Sequence, residues 1–168
     1  MMALLPGWMA PDFACDTTWG PIHFHMWLGA GWGVVLTHVD DYTPHSLQNG
    51  MEWASSCFRP IRMLGLNAAA DDIHASDRRP PAPTSVPRII DPSGAVRTLW
   101  RGIAIDVGGE ASAFSDDHVV YFLDPSRTIR MTLSYSSRRN LDFSDVISVL
   151  DALGANRDCG CTPAWQAA

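Results

Sequence analysis

Short apolar runs separated by polar breaks lay out the elements of this chain before any chemistry is considered. Trp32-Gly33-Val34-Val35-Leu36-Thr37 is an apolar segment closed by charges, which predicts a buried strand. Beyond it, Leu47, Met51, Ala54 and Phe58 recur on roughly one face of a helix. Thr43-Pro44 is a good start for that helix: Thr is a favoured N-cap, and a proline in the first helical position lacks only an N–H that would have no partner. Ile61 to Leu66 predicts the next strand. Val119 to Leu123 is nearly continuous and therefore more buried, whereas Ile129 to Tyr135 alternates, and Pro125-Ser126-Arg127 joins the two. Phe143, Val146, Ile147, Val149, Leu150 and Leu153 give the segment from Asp142 to Leu153 one broad buried helical face.

Punctuation completes the outline. Thr17-Thr18-Trp19-Gly20-Pro21 makes a turn near the start, and in Ile22 to Leu28 the histidines His23 and His25 are expected to alternate along a strand and share a face. Pro80, Pro81 and Pro83 exclude a long helix after Ala68 and predict a surface loop. Asn156 to Ala168 reads as a coil-like tail.

Composition narrows the class without naming it. A chain of 168 residues, 46% hydrophobic and 18% charged, suffices for one globular domain with a real core. The net charge of −6 argues against nucleic acid as a partner, because phosphate binding needs a basic surface. No apolar run reaches the roughly 20 residues that span a bilayer, and Met1 to Trp8 lacks the basic region of a signal peptide. A soluble, cytoplasmic protein with no membrane partner is expected. Cys15, Cys57, Cys159 and Cys161 do not form paired Cys-x-x-Cys knuckles, which argues against a structural zinc site. Cys57 is expected to be a small buried residue; Cys159-Gly160-Cys161 is open to reading as a bland tail or as a redox or metal-binding one.

Candidate chemistry gathers between His38 and Ser46. Ser46 falls in the first turn of the predicted helix, where free N–H groups and the helix dipole favour negative charge. His38-x-x-Asp41-Tyr42-Thr43-Pro44-x-Ser46 resembles the active-site loop of the one-cysteine peroxiredoxins, His-x-x-Asp-[Phe/Tyr]-Thr-Pro-x-Cys, with Ser46 in the position of the peroxidatic cysteine. Ala10-Pro11-Asp12-Phe13, Phe24-His25-x-Trp27-Leu28-Gly29 and Trp32-Gly33-Val34 extend the resemblance. It implies an α/β, thioredoxin-like fold of the peroxiredoxin type: a domain over residues 1–155, then a tail at 156–168 where a C-terminal extension is cut short. It also implies a homodimer.

The same resemblance implies a site built from Thr43, Pro44, the residue at 46 and an arginine, matched here by Arg139 in Arg138-Arg139-Asn140. A guanidinium and helix N–H groups would hold a peroxide and depress a thiol pKa. Ser46 departs from the pattern, and a hydroxyl cannot cycle through sulfenic acid, so thiol peroxidase chemistry is closed to it. Three readings stay open: a degenerate binding protein or sensor, an enzyme with new chemistry, and a one-cysteine peroxide reductase carrying serine in place of its cysteine. The leading expectation is the second, a repurposed site that binds and transforms an oxygen-rich organic molecule. Ser46, His45, Thr43 and Arg139 would be catalytic, and Pro44, His38, His25 and Asp41 would line the substrate. His45 or His38 would move protons, with Asp40 and Asp41 as candidate partners. No metal and no cofactor is expected.

Overall fold

The computed structural model of the chain describes residues 4–57, 61–66, 86–101, 118–135 and 140–155. It opens with an antiparallel hairpin, β1 (Ala14–Thr17) and β2 (Gly20–His23), turned at Thr18-Trp19 as the sequence pattern suggests. The strand then stops where continuation to Leu28 was expected. Phe24 to Leu28 forms a short helix, α1, so His23 and His25 are not alternating strand neighbours: His23 precedes the helix and His25 lies in it. Burial decides this, because the helix turns both Phe24 and Leu28 into the core.

The expected strand follows as β3 (Gly33–Leu36), and after a single 3-10 turn at Val39–Asp41 comes α2 (Pro44–Ser56). Next are β4 (Arg62–Gly65), β5 (Ile89–Ile90) and α3 (Ala95–Arg101). The last described elements are the hairpin β6 (His118–Leu123) and β7 (Ile129–Tyr135) and α4 (Ser144–Ala152). Among the described residues the strands form two sheets, β2-β1-β5 and β4-β3-β6-β7. In the second, β3 and β4 run parallel through their α2 crossover, and the remaining pairs are antiparallel. Strand, helix, parallel strand, hairpin and helix is the order the thioredoxin-like reading requires.

Strand periodicity sorts the core into two halves. Along β3, Val34 and Leu36 pack in the half that holds α2 and α4, while Val35 faces the half holding α1 and α3. β6 repeats the division, with Val120 and Phe122 on one side and Tyr121 and Leu123 on the other. The central sheet is therefore buried on both faces, which is why β3 reads as a continuous apolar run rather than an alternating one. Close approach fixes two further contacts. A side chain at Gly50 of α2 would overlap the ring of Phe143, and one at Gly65 would stand 2.6 Å from Val39 Cγ2. Phe58, the proline-rich segment, Arg138, Arg139 and the tail with Cys159 and Cys161 lie outside the described residues.

Candidate functional site

The β3 strand delivers the chain to its carboxyl end, the edge of an α/β sheet where ligands commonly bind, and there the sequence-singled stretch begins. A strip of backbone from the far end of the chain lies alongside it. Leu141 bridges Tyr42 in parallel: its N–H donates to Asp41 O at 2.7 Å and its carbonyl accepts from Thr43 N–H at 3.0 Å. That pairing sets the start of α4 beside the start of α2.

Thr43 holds the N-cap position with extended backbone, and Pro44 follows in the first turn. The threonine hydroxyl does not bond to a helix N–H as an N-cap ordinarily would. It donates instead to Ser46 Oγ at 2.7 Å. The backbone N–H of Phe143 donates to the same oxygen at 3.2 Å. Ser46 Oγ in turn lies 3.0 Å from Thr43 O and 3.5 Å from Leu141 O, either of which can accept its single proton. Two donors thus converge on one half-buried atom at a helix N-terminus. The arrangement favours negative charge at that atom, and the two carbonyls oppose it.

The other expected site residues are distributed more widely. His45 is exposed, and its Nε2 meets Asn49 Nδ2 at 3.3 Å, one turn further along α2. Among the described residues no carboxylate backs it: Asp40 is gripped by the guanidinium of Arg88, and Asp41 faces His118. His25 belongs to the neighbourhood of β1, with Nε2 2.8 Å from Ala10 O and its backbone N–H donating to Asp12 Oδ1. That bond holds the Asp12 carboxyl below its ordinary pKa. Of the tryptophans near the stretch, Trp32 is core, Trp27 carries the Arg62 guanidinium over its ring at 5.5 Å, and Trp19 is half exposed.

Sequence reasoning missed His118. It opens β6 and is fully buried, with Nδ1 3.4 Å from Asp41 Oδ2. Its ring lies 5.6 Å from that of His38 and edge-on to Tyr42 at 5.0 Å. Burial holds the Tyr42 phenol far above its ordinary pKa, with Tyr135 and Asp145 adding to the effect, so it stays neutral. His38, Asp41 and His118 each offer a ligand atom within 4.8 Å of the others. A polar residue directly before the apolar run Val119–Leu123 was the one available signal.

No family model matches the chain. Curated relatives do. It is 27% identical to the peroxiredoxin-6 of Mus musculus over 172 residues, covering 89% of this chain and 73% of that protein. It is 26% identical to the mitochondrial peroxiredoxin PRX1 of Saccharomyces cerevisiae, over 95% of this chain and 66% of that one. Among solved structures, a yeast mitochondrial 1-Cys peroxiredoxin superposes with a TM-score of 0.61 at 26% identity, covering 96% of this chain and 82% of that one. The AhpC of Mycobacterium bovis superposes at 0.67 with 17% identity, covering 91% and 99% of the two chains, and shares the fold. Among the described residues no helix is long and apolar enough to cross a membrane.

Proposed function

The chain belongs to the peroxiredoxin superfamily, and from that premise we propose that the Thr43–Ser46 turn is a peroxide-binding pocket of the one-cysteine type. Ser46 stands in the place of the reacting sulfur. The observation that carries this reading is the convergence of the Thr43 hydroxyl and the Phe143 N–H on Ser46 Oγ. Donors at that point would hold a thiolate, or a peroxide oxygen laid against it. Arg139 is expected to complete the pocket. As written, the chain binds peroxide and does not reduce it, since a hydroxyl cannot form a sulfenic acid.

Transformation of an organic molecule by Ser46 finds less support. The hydroxyl already accepts two hydrogen bonds and donates one within the fold, and His45 is engaged with Asn49 rather than with Ser46. A nucleophile needs a base at its proton, and none of these contacts supplies one. The relatives are named as peroxiredoxins, which favours peroxide over an organic substrate. A homodimer is part of the same reading; Trp8, Met9, Trp19 and Met26 leave large apolar surfaces exposed for association.

Ser46→Cys tests the assignment. Its thiol should titrate below the ordinary thiol value. The thiolate would then attack a peroxide oxygen, forming an S–O bond, breaking the O–O bond and releasing water or an alcohol. Two equivalents of a small thiol would close the cycle: the first condenses with the sulfenic acid to a mixed disulfide and water, and the second releases the cysteine thiol with the small disulfide as product. Stopped-flow peroxide consumption by the variant, and none by the serine chain, is the expected result. An ordinary thiol pKa with no consumption would overturn the reading. Light scattering that shows a monomer at micromolar concentration would remove the dimer from it.

A further inference from the structure

We propose that His38, Asp41 and His118 form a binding site for one divalent transition-metal ion of borderline softness, with zinc as the reference ion. The proposal rests on this cluster alone and not on the peroxide reading of Ser46. Two imidazoles and one carboxylate suit Zn²⁺, Co²⁺ or Fe²⁺ and do not suit Mg²⁺ or Ca²⁺, which want all-oxygen shells. Three protein ligands leave a coordination position for water, the pattern of reactive rather than structural zinc sites.

The frame is rigid where a site needs it to be. Leu36 pairs with Val120 across β3 and β6, and Thr37 continues the ladder, its N–H donating to Val119 O at 3.0 Å. Continued past the end of β3, this register brings His38, two residues beyond the strand, opposite His118 at the start of β6, with their rings 5.6 Å apart. Asp41 comes from the 3-10 turn, which is fixed on one side by Leu141 and on the other by the Asp40–Arg88 ion pair. Ligands about 2.1 Å from a tetrahedral ion stand roughly 3.4 Å from one another. Asp41 Oδ2 and His118 Nδ1 are already 3.4 Å apart. The widest separation in the cluster is within 4.8 Å, so closing on an ion asks for side-chain shifts of about an ångström in half-exposed His38 or Asp41.

Support around the ligands fits as well. His38 Nδ1 lies 2.9 Å from Thr37 Oγ1, which also accepts the Val119 N–H at 2.8 Å. With metal on Nε2, Nδ1 of His38 carries the proton and donates it to Thr37, the orienting bond that metal-bound imidazoles usually make. His118 is sealed inside the fold while Asp41 keeps 24% of its side chain exposed, so an ion would enter from the His38 and Asp41 side.

Calorimetric titration of the full, chelator-treated chain with Zn²⁺ tests the site, with Mg²⁺ as the contrast. One equivalent of zinc should bind at micromolar affinity or tighter, and magnesium should not bind. His38→Ala and Asp41→Asn, both at half-exposed positions that should keep the circular dichroism of the parent, should each weaken zinc at least about tenfold. Cobalt should give visible d–d bands without a thiolate charge-transfer band, because no sulfur is in the set. The proposal is overturned by any of three results: no saturable zinc binding at millimolar concentration, unchanged affinity in the His38→Ala/Asp41→Asn double variant, or a thiolate band that moves the ion to the cysteines. The measurement uses the serine chain without peroxide, so its failure leaves the Ser46 reading intact, and the reverse also holds.

Discussion

The Ser46 turn and the His118 cluster flank the same residue, Tyr42, and are built in opposite ways. Ser46 sits where local sequence puts it, three residues past an N-cap threonine, and its hydroxyl is tied to Thr43 and to Phe143. The cluster is assembled across strands from side chains 77 residues apart in sequence. The first region carries the recognisable motif, and its hydroxyl is committed to hydrogen bonds that hold α2 to α4. The second takes His38 and Asp41 from the same motif and adds His118 from β6, which lies outside it, to gather three groups able to bind a cation. A motif thus marks where a backbone is arranged for chemistry; which side chains gather around it is decided by tertiary contacts.

Replacing His118 should break that contrast most forcefully. His118→Ala removes a fully buried ring from between Tyr42, Tyr135 and His38 and leaves Asp41 without its partner. A loss of about 3 kcal/mol in urea unfolding is expected. A loss under about 1 kcal/mol would mean that the cluster is loosely packed and not a rigid frame. Gly50→Ala comes next. Its Cβ would meet the Phe143 ring, forcing α2 and α4 apart at about 2 kcal/mol. If stability were unchanged, the close contact that brings Phe143 N–H to Ser46 would not be needed.

Ser46→Ala should cost less, about 1 kcal/mol, by stranding the Thr43 hydroxyl and the Phe143 N–H in a half-buried turn. Faster amide exchange at Phe143 would locate the loss. The smallest effect compares two sulfur positions. Burial, then the nearby Asp91 and Asp16, push the Cys15 thiol up to about 11 from an ordinary 9.0. Because the folded value is raised, its contribution to stability is whole below pH 9 and declines as pH rises toward 11. At pH 8, Cys15 should therefore alkylate slowly, while the thiol of Ser46→Cys alkylates fast. Equal rates, read by mass spectrometry, would erase the distinction between an insulated sulfur position and an activating one.

Sequence by itself determined the elements and their faces. The apolar run of β3, the alternation of β7, the Thr43-Pro44 helix start and the stripe of α4 all lie in local patterns of period two or 3.6, which the chain must satisfy wherever it folds. It also carried the order of elements that identifies the fold, and it placed Ser46 in the first turn of α2. It misjudged Phe24 to Leu28, where burial of Phe24 and Leu28 against the sheet favours a helical turn over strand alternation. Tertiary structure alone decided the partners: Phe143 N–H reaches Ser46 across 97 residues, and His118 opposes His38 only through the β3–β6 register. No local period encodes such pairs. They follow from which strands lie side by side, a choice made by burying both faces of the sheet at once.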